Sequence, residues 1–228
     1  MSRPLAKREQ NRQERERAIL AAAMRVFADS GFAGASMDVI AADAGISKPT
    51  LYQYFSSKED LFTTVLQQER DHMLEVFEHP SERGLVADLH AFAWDYARTV
   101  MRKDMLSLSR LIIAEAQRRP EIGSAFQASG PDRVLAGMMA YLSVQRDRGL
   151  LVFDDPELAA EDLWGLVLSA PRNRALHEPD TPVDDNILAR YINNGLRVYI
   201  RAYSTNIEPD LSALEALSTP PANGTERT

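Results

Sequence analysis

The chain of 228 residues contains no cysteine, which excludes a disulfide framework, a thiolate nucleophile and a cysteine-ligated metal site. It has no run of some eighteen apolar residues, so no segment reads as a membrane span. Residues 1–17 are charged and lack the apolar core of a secretion signal, and the expectation is a soluble, cytoplasmic protein. No glycine-rich phosphate loop, nucleophile elbow or Ser/His/Asp arrangement is present. The four histidines, His72, His79, His90 and His177, show no ligand spacing with one another. One Glu69-x-x-His72 element sets a carboxylate and an imidazole a helical turn apart, but a di-iron bundle needs two such elements and further glutamates facing them. No cofactor and no metal is expected, and the enzyme reading rests on nothing positive. Alternating β patterns and internal repeats are missing as well. What remains is long enough for one large or two small domains with real cores.

Positive charge is also in short supply, and it is unevenly spread. The formal net charge is −7. Residues 1–25 nevertheless hold seven basic residues (Arg3, Lys7, Arg8, Arg12, Arg15, Arg17, Arg25) against three acids (Glu9, Glu14, Glu16). Over residues 1–62 the balance is nine basic to eight acidic, which leaves −8 for the remainder. A mildly basic head and an acidic body would orient the head towards a polyanion. The basic stretch 1–13 reads as a flexible arm, either adding phosphate contacts or serving as a solubilising tail.

The richest pattern lies in residues 36–55, SMDVIAADAGISKPTLYQYF. Met37, Ile40, Ala41 and Ala44 share one face of a short helix, with Ser36 as N-cap and Asp38 at the positive end of the dipole. Gly45 supplies a left-handed stop, and Ile46 follows as a buried plug. Ser47 caps a second helix whose Leu51 and Phe55 point back onto the first; together these are a helix-turn-helix. The outer sides of the second helix then carry Lys48, Pro49, Thr50, Tyr52, Gln53 and Tyr54. Lys48 and Gln53 suit base edges, Thr50, Tyr52 and Tyr54 suit phosphate oxygens, and Pro49 or Thr50 can touch a thymine methyl.

The flanks agree. Ile19, Ala22, Ala23, Val26 and Phe27 make an amphipathic stripe on a helix from Arg12 to Ser30, stopped by Gly31 and Phe32 in a Schellman-like turn. Ser57 to Asp60 reads as a capping box that opens a long helix to about His79. Lys58 in its first turn opposes the helix dipole, which points to a phosphate as its partner. From Ile19 to Phe62 the chain resembles the DNA-binding domain of the TetR family of transcriptional regulators. The likeness rests on the Phe27-x-x-x-Gly31-Phe32 hinge, the Ala44-Gly45-Ile46 turn, Leu51-Tyr52-x-Tyr54-Phe55 and Lys58-Glu59-x-Leu61. Ser36 stands where many members carry threonine. Gln53 occupies a variable position, so no operator sequence carries over.

Downstream, helices are expected over 85–102, 104–117, 121–128, 131–148, 156 to 168 or 176, and 183–203, with Pro171 kinking or breaking the fifth of these. The expected fold is all-α, with an N-terminal three-helix domain over 14–62 and a helical bundle over 63–205. Residues 206–228 read as a partly disordered tail. Residues 106–149 and the following DPELAAEDLWGL resemble the C-terminal domain of the AcrR- or AefR-like subgroup. That likeness implies a small-molecule pocket, with Phe92, Trp94, Tyr96, Met101, Met105, Leu108, Ile112, Phe126, Met138, Tyr141 and Trp164 as candidate lining. Glu115 is the one acid on the apolar face of its helix, placed for a ligand or for Arg110, Arg118 or Arg119. Ordinary core packing is the alternative for each lining residue. The last two long helices are apolar over much of their circumference, from burial in one body or from a subunit interface at Leu163, Leu166, Val167, Tyr191, Ile192, Leu196 and Tyr199. Family members typically dimerise through these helices.

These readings point to a homodimeric repressor released from a palindromic DNA operator by a small-molecule effector. The DNA-contacting set would be Ser36, Ser47, Lys48, Pro49, Thr50, Tyr52, Gln53, Tyr54 and Lys58. A helical protein-interaction scaffold would explain the apolar last helices but not this face.

Overall fold

The computed structural model describes residues 3–65, 67–68, 84–181 and 183–217, and among these the secondary structure is helical apart from one isolated β-bridge between Leu151 and Ser204. The chain divides into two compact units, residues 1–69 with 103–130 and residues 70–102 with 131–228.

The first unit, the head, begins with α1 (Arg3–Gly34). The sequence suggests a flexible arm over residues 1–13, but the helix starts at Arg3. Its opening stretch is rich in Ala, Leu, Lys, Arg, Glu and Gln, all strong helix formers, and Gln10 donates to Glu14 one turn on (3.1 Å). Among the described side chains burial begins at Ile19, and Ile19, Ala22, Ala23, Met24, Val26 and Phe27 are all buried. The path bends at Gly31, where φ is 73° and ψ is 167°. That ψ is far from the left-handed helical value a Schellman stop requires, and the conformation is open to glycine alone. A β-carbon at Gly31 would also lie 3.0 Å from Leu111.

After the bend come α2 (Met37–Asp43) and α3 (Lys48–Tyr54). Between them Ile46 N–H donates to Ala41 O and Gly45 N–H to Ala42 O, the paired bonds of a Schellman turn, with Gly45 at φ 67°. Ile46 is half-buried, short of the plug the sequence implied. Leu51 and Phe55 close the hairpin from inside. The next helix, α4, is described over 58–65 and 67–68. Ser57 Oγ accepts from Asp60 N–H, and the Asp60 carboxylate reaches back to the N–H and hydroxyl of Ser56. The remainder of the expected helix, with the Glu69-x-x-His72 element and His79, lies outside the described residues.

The α6 (Lys103–Ala116) and α7 (Pro120–Ser129) helices belong to this unit, which the boundary expected at residue 62 did not foresee. The reason is packing: Met105, Leu108, Ile112 and Ile122 share one core with Ile19, Phe27, Phe32, Leu51, Leu61 and Phe62. Phe27, Phe32 and Phe62 form a triangle of rings with centroids 5.1 to 5.8 Å apart.

The second unit, the body, comprises α5 (Leu85–Val100), α8 (Pro131–Asp147), α9 (Pro156–His177), α10 (Asp185–Tyr203) and α11 (Ile207–Ala216). The α9 helix opens on Asp155, which accepts from the N–H groups of Glu157 and Leu158, and runs through Pro171 without a break. Proline there removes a single ladder bond, and Pro171 is buried in place. The α9 and α10 helices cross backbone against backbone, since a β-carbon at Gly195 would fall 2.5 Å from Leu166 O. Of the tail expected over 206–228, residues 207–216 form α11, and those after 217 lie outside the described residues. The anchor of α11 is Ser204, which donates to Asp210 (2.6 Å) and accepts from Asn206 N–H, and Leu214 is buried beneath it. No helix among the described residues is long and apolar enough to cross a membrane.

Candidate nucleic-acid interface

The second helix of the hairpin owes its position to Leu51, which is fully buried, and its start to Ser47, whose Oγ accepts from Thr50 N–H (3.3 Å). The hydroxyls of Ser47 and Thr50 also bond each other at 2.8 Å. Pro49 fits in the first turn, where no N–H is needed. With Leu51 inward, Lys48, Pro49, Tyr52 and Gln53 are exposed, while Thr50 and Tyr54 are half-buried at the flanks and Tyr54 leans on the core. One short helix thus presents a cation, a phenol and an amide to solvent together, 47 % of Tyr52 being open.

Besides Ser47 and Thr50, three more of the expected DNA-contacting residues have internal work. Ser36 Oγ accepts from Val39 N–H and caps α2. Lys48 Nζ lies 2.9 Å from Asp38 Oδ1 and bonds Oδ2 at 3.1 Å, an ion pair from α3 back to α2. The hydrogen bond and the charge of Asp38 both hold the Lys48 ammonium above its usual pKa. Lys58 donates to the carbonyls of Phe32 (2.5 Å) and Ala35 (3.0 Å) and sits 4.4 Å over the Phe32 ring. The oddly placed cation is therefore explained from within: it satisfies carbonyls left over at the Gly31 bend and ties α4 to them. Its position does not call for a phosphate. Asp38 was legible only as a dipole partner, because an ion pair spanning ten residues leaves no periodic trace. Arg25, bonded to Asp43 at 2.7 and 3.1 Å, escaped for the same reason.

The expected pocket residues fall into separate cores. Met105, Leu108, Ile112, Glu115 and Phe126 belong to the head, and Phe92, Trp94, Tyr96, Met101, Met138, Tyr141 and Trp164 to the body. Arg118 and Arg119 donate backbone N–H groups to Glu115 O, while the Arg119 side chain pairs with Glu121 (3.4 Å). In the body, Tyr141 Oη donates to buried Asp88 (2.7 Å), Trp94 Nε1 donates to His90 Nε2 (3.2 Å), and Trp164 Nε1 donates to Tyr96 Oη. Burial pushes the Tyr96 phenol up to about 12.

Of the expected interface, Leu163, Val167, Ile192, Leu196 and Tyr199 are covered completely by their own chain. Their apolar breadth came from packing α9 on α10, and they offer no surface to a second subunit. Leu166 is half-buried and Tyr191 exposed. Among the described residues no group of three or more His, Asp or Glu side chains is arranged to hold a metal.

Residues 19–65 match the family described as bacterial regulatory proteins, tetR family, and residues 87–205 match the AefR-like transcriptional repressor, C-terminal domain. A TetR-family transcriptional regulator from Mesorhizobium loti is 32 % identical, with a TM-score of 0.73 over 85 % of this chain and 98 % of that one. The flavonoid-responsive regulator FrrA is 29 % identical, with a TM-score of 0.64 over 85 % and 99 %. Among curated proteins, the transcriptional activator FasR of Mycolicibacterium smegmatis is 51 % identical over 63 residues, a match spanning 28 % of this chain and only 29 % of FasR. The transcriptional repressor BepR of Brucella suis is 27 % identical across 55 % of this chain and 77 % of its own.

Proposed function

Because the chain belongs to the TetR family of bacterial transcriptional regulators, we propose that it acts as a homodimeric repressor, held on a palindromic operator and released by a small molecule. The observation that carries the reading is the exposed face of α3, with Lys48, Pro49, Tyr52 and Gln53 open to solvent on a helix fixed from behind by Leu51. Such a face enters a major groove, with Gln53 and Lys48 at base edges and Tyr52, Thr50, Ser47, Ser36 and Tyr54 at the strands beside it. Lys58 is better placed to hold the head together than to reach DNA.

Pairing makes physical sense, since one short helix reads few bases, and two related by symmetry read half-sites about 34 to 36 Å apart. The surface best suited to it is the outer stripe of α10, where Ile187, Tyr191 and Val198 recur at helical spacing, each 37–41 % exposed, with Leu166 on α9 half-covered. Repression is favoured by the C-terminal match and by BepR, although FasR is an activator. The effector would enter the body. There the buried aromatic residues Phe92, Trp94 and Tyr96 stand on one helix with buried, polar Asp88 and His90, side chains that would suit a flat hydroxylated molecule, the class to which a flavonoid belongs. A coupling of roughly 1–3 kcal/mol between effector and operator would suffice for 5- to 150-fold release.

The test is selection of binding sites from random duplex DNA with the purified protein at a fixed salt concentration. A single palindrome is the expected product, with preference altered by Gln53→Ala and affinity lowered evenly by Tyr52→Phe. Failure to enrich any sequence, with and without pools of small aromatic compounds, would count for the helical scaffold instead.

A further inference from the structure

The segment that builds the helix-turn-helix, residues 19–65, has little positive charge of its own to offer DNA. Residues 19–65 contain three cations, Arg25, Lys48 and Lys58, against five acids, Asp29, Asp38, Asp43, Glu59 and Asp60. All three cations are engaged inside the chain: Arg25 with Asp43, Lys48 with Asp38, and Lys58 with the carbonyls of Phe32 and Ala35. A duplex approaching this surface meets a net −2 and must break an ion pair to recruit Lys48 or Arg25.

The balance inverts just upstream. Residues 3–18 carry six basic residues against three acids, a net +3, and this stretch is the first half of α1. Lys7, Arg12, Arg15 and Arg17 are all exposed, and among the described residues none of the four stands in an ion pair. From Gln10 to Ala18 no described side chain is buried, so this part of the helix owes its direction to the buried half that follows. Arg12 and Arg15 are spaced by three residues, in the same row of the helix as Ile19 and Val26, which pack into the head.

We infer that this helical extension is a phosphate-binding element: a rod bearing exposed arginines, aimed by the packed half of α1, that binds the backbone of double-stranded DNA beside the α3 face and supplies attraction that residues 19–65 lack. The proposal rests on the DNA-reading assignment of α3 and adds a second, sequence-independent site to it. Double-stranded DNA is the occupant that fits, because the reading face of α3 lies in the same unit and would meet the same polyanion.

The test uses the full chain and the variant Arg12→Gln/Arg15→Gln/Arg17→Gln, whose substitutions keep helix propensity and fall at exposed positions. Affinity for the selected palindrome and for a scrambled duplex of equal length is measured by anisotropy across a salt series. The variant should bind both duplexes more weakly by the same factor and keep the unaltered protein's sequence preference. Its log–log salt slope should be shallower by about 2.7, at roughly 0.9 for each phosphate that no longer meets an arginine. An unchanged slope in a variant that still prefers the palindrome would overturn the proposal and leave the α3 reading intact. No preference for any sequence in the unaltered protein would overturn both. A parallel assay with phosphatidylglycerol vesicles covers the rival polyanion: binding that depends on the three arginines there, without a change in the DNA slope, would reassign the extension to a membrane surface and overturn the proposal.

Discussion

The head closes around Phe27, Phe32 and Phe62, and of the polar residues described as buried it holds only Ser109 and Ser129. The body buries Asp88, His90, Thr99, Gln145 and Ser204, and joins Asp88 to Tyr141 and His90 to Trp94 inside its core. The head places its polar chemistry outside, in caps and ion pairs around α2 and α3. An apolar core of interlocked rings fixes one geometry, as a surface that must match a rigid duplex requires. A core with paired polar groups is costlier to fill wrongly, because each group loses its partner when the packing shifts. Such a core is sensitive to what enters it, as the proposed effector-binding role of the body would require.

Phe27→Ala is the substitution with the largest expected effect, about 3–5 kcal/mol through the cavity it leaves. Both tryptophans, Trp94 and Trp164, lie in the body. Far-UV dichroism should therefore show an early loss of helix while tryptophan fluorescence unfolds where it did before. Coincident shifts of both signals would mean that the two units melt as one, and the difference between head and body would have no thermodynamic counterpart. Gly31→Ala should cost about 1–3 kcal/mol in the same dichroism transition, since it forces a methyl-bearing residue into a glycine-only conformation against Leu111. Lys58→Met should destabilise the head by about 2 kcal/mol through the loss of charge-assisted bonds to two carbonyls. If the log–log salt slope of DNA binding also fell by about 0.9, Lys58 would be reaching phosphate after all. Tyr141→Phe should lower body stability by about 1 kcal/mol, read by fluorescence, because Asp88 loses one donor. It should leave the head's dichroism transition where it was.

The sequence disclosed most of this where structure is local. Caps at Ser36 and Ser47, the stop at Gly45 and the stripe from Ile19 to Phe27 are each decided by residues close together in the chain. Contacts between distant residues stayed hidden. Lys58 looked misplaced until Phe32 and Ala35, more than twenty residues back, were seen to need a donor. The apolar girth of α9 and α10 was ambiguous for the same reason, since periodicity shows that a face is buried without showing what buries it. It took Gly195 against Leu166 to show that much of that girth goes into their own crossing. Flexibility was overestimated at the start of the chain and over residues 207–216. Charge in residues 1–13 read as a flexible arm, yet helix propensity carries α1 from Arg3; the Ser204–Asp210 bond anchors α11, while Pro220, Pro221 and Asn223, on which the tail reading rested, lie outside the described residues.

The unbroken run of α1 from Arg3 has a consequence for length. At about 1.5 Å per residue the segment ahead of the packed half, residues 3–18, extends roughly 24 Å, which equals some seven base-pair steps at about 3.4 Å each. A disordered tail of the same composition would sweep a volume and protect no defined stretch of duplex. A stiff arm has an address, and a nuclease footprint would end where the arm ends. Ala18→Pro, which breaks the rod at its root without removing one charge, would then shorten the protected tract as surely as deleting the arginines.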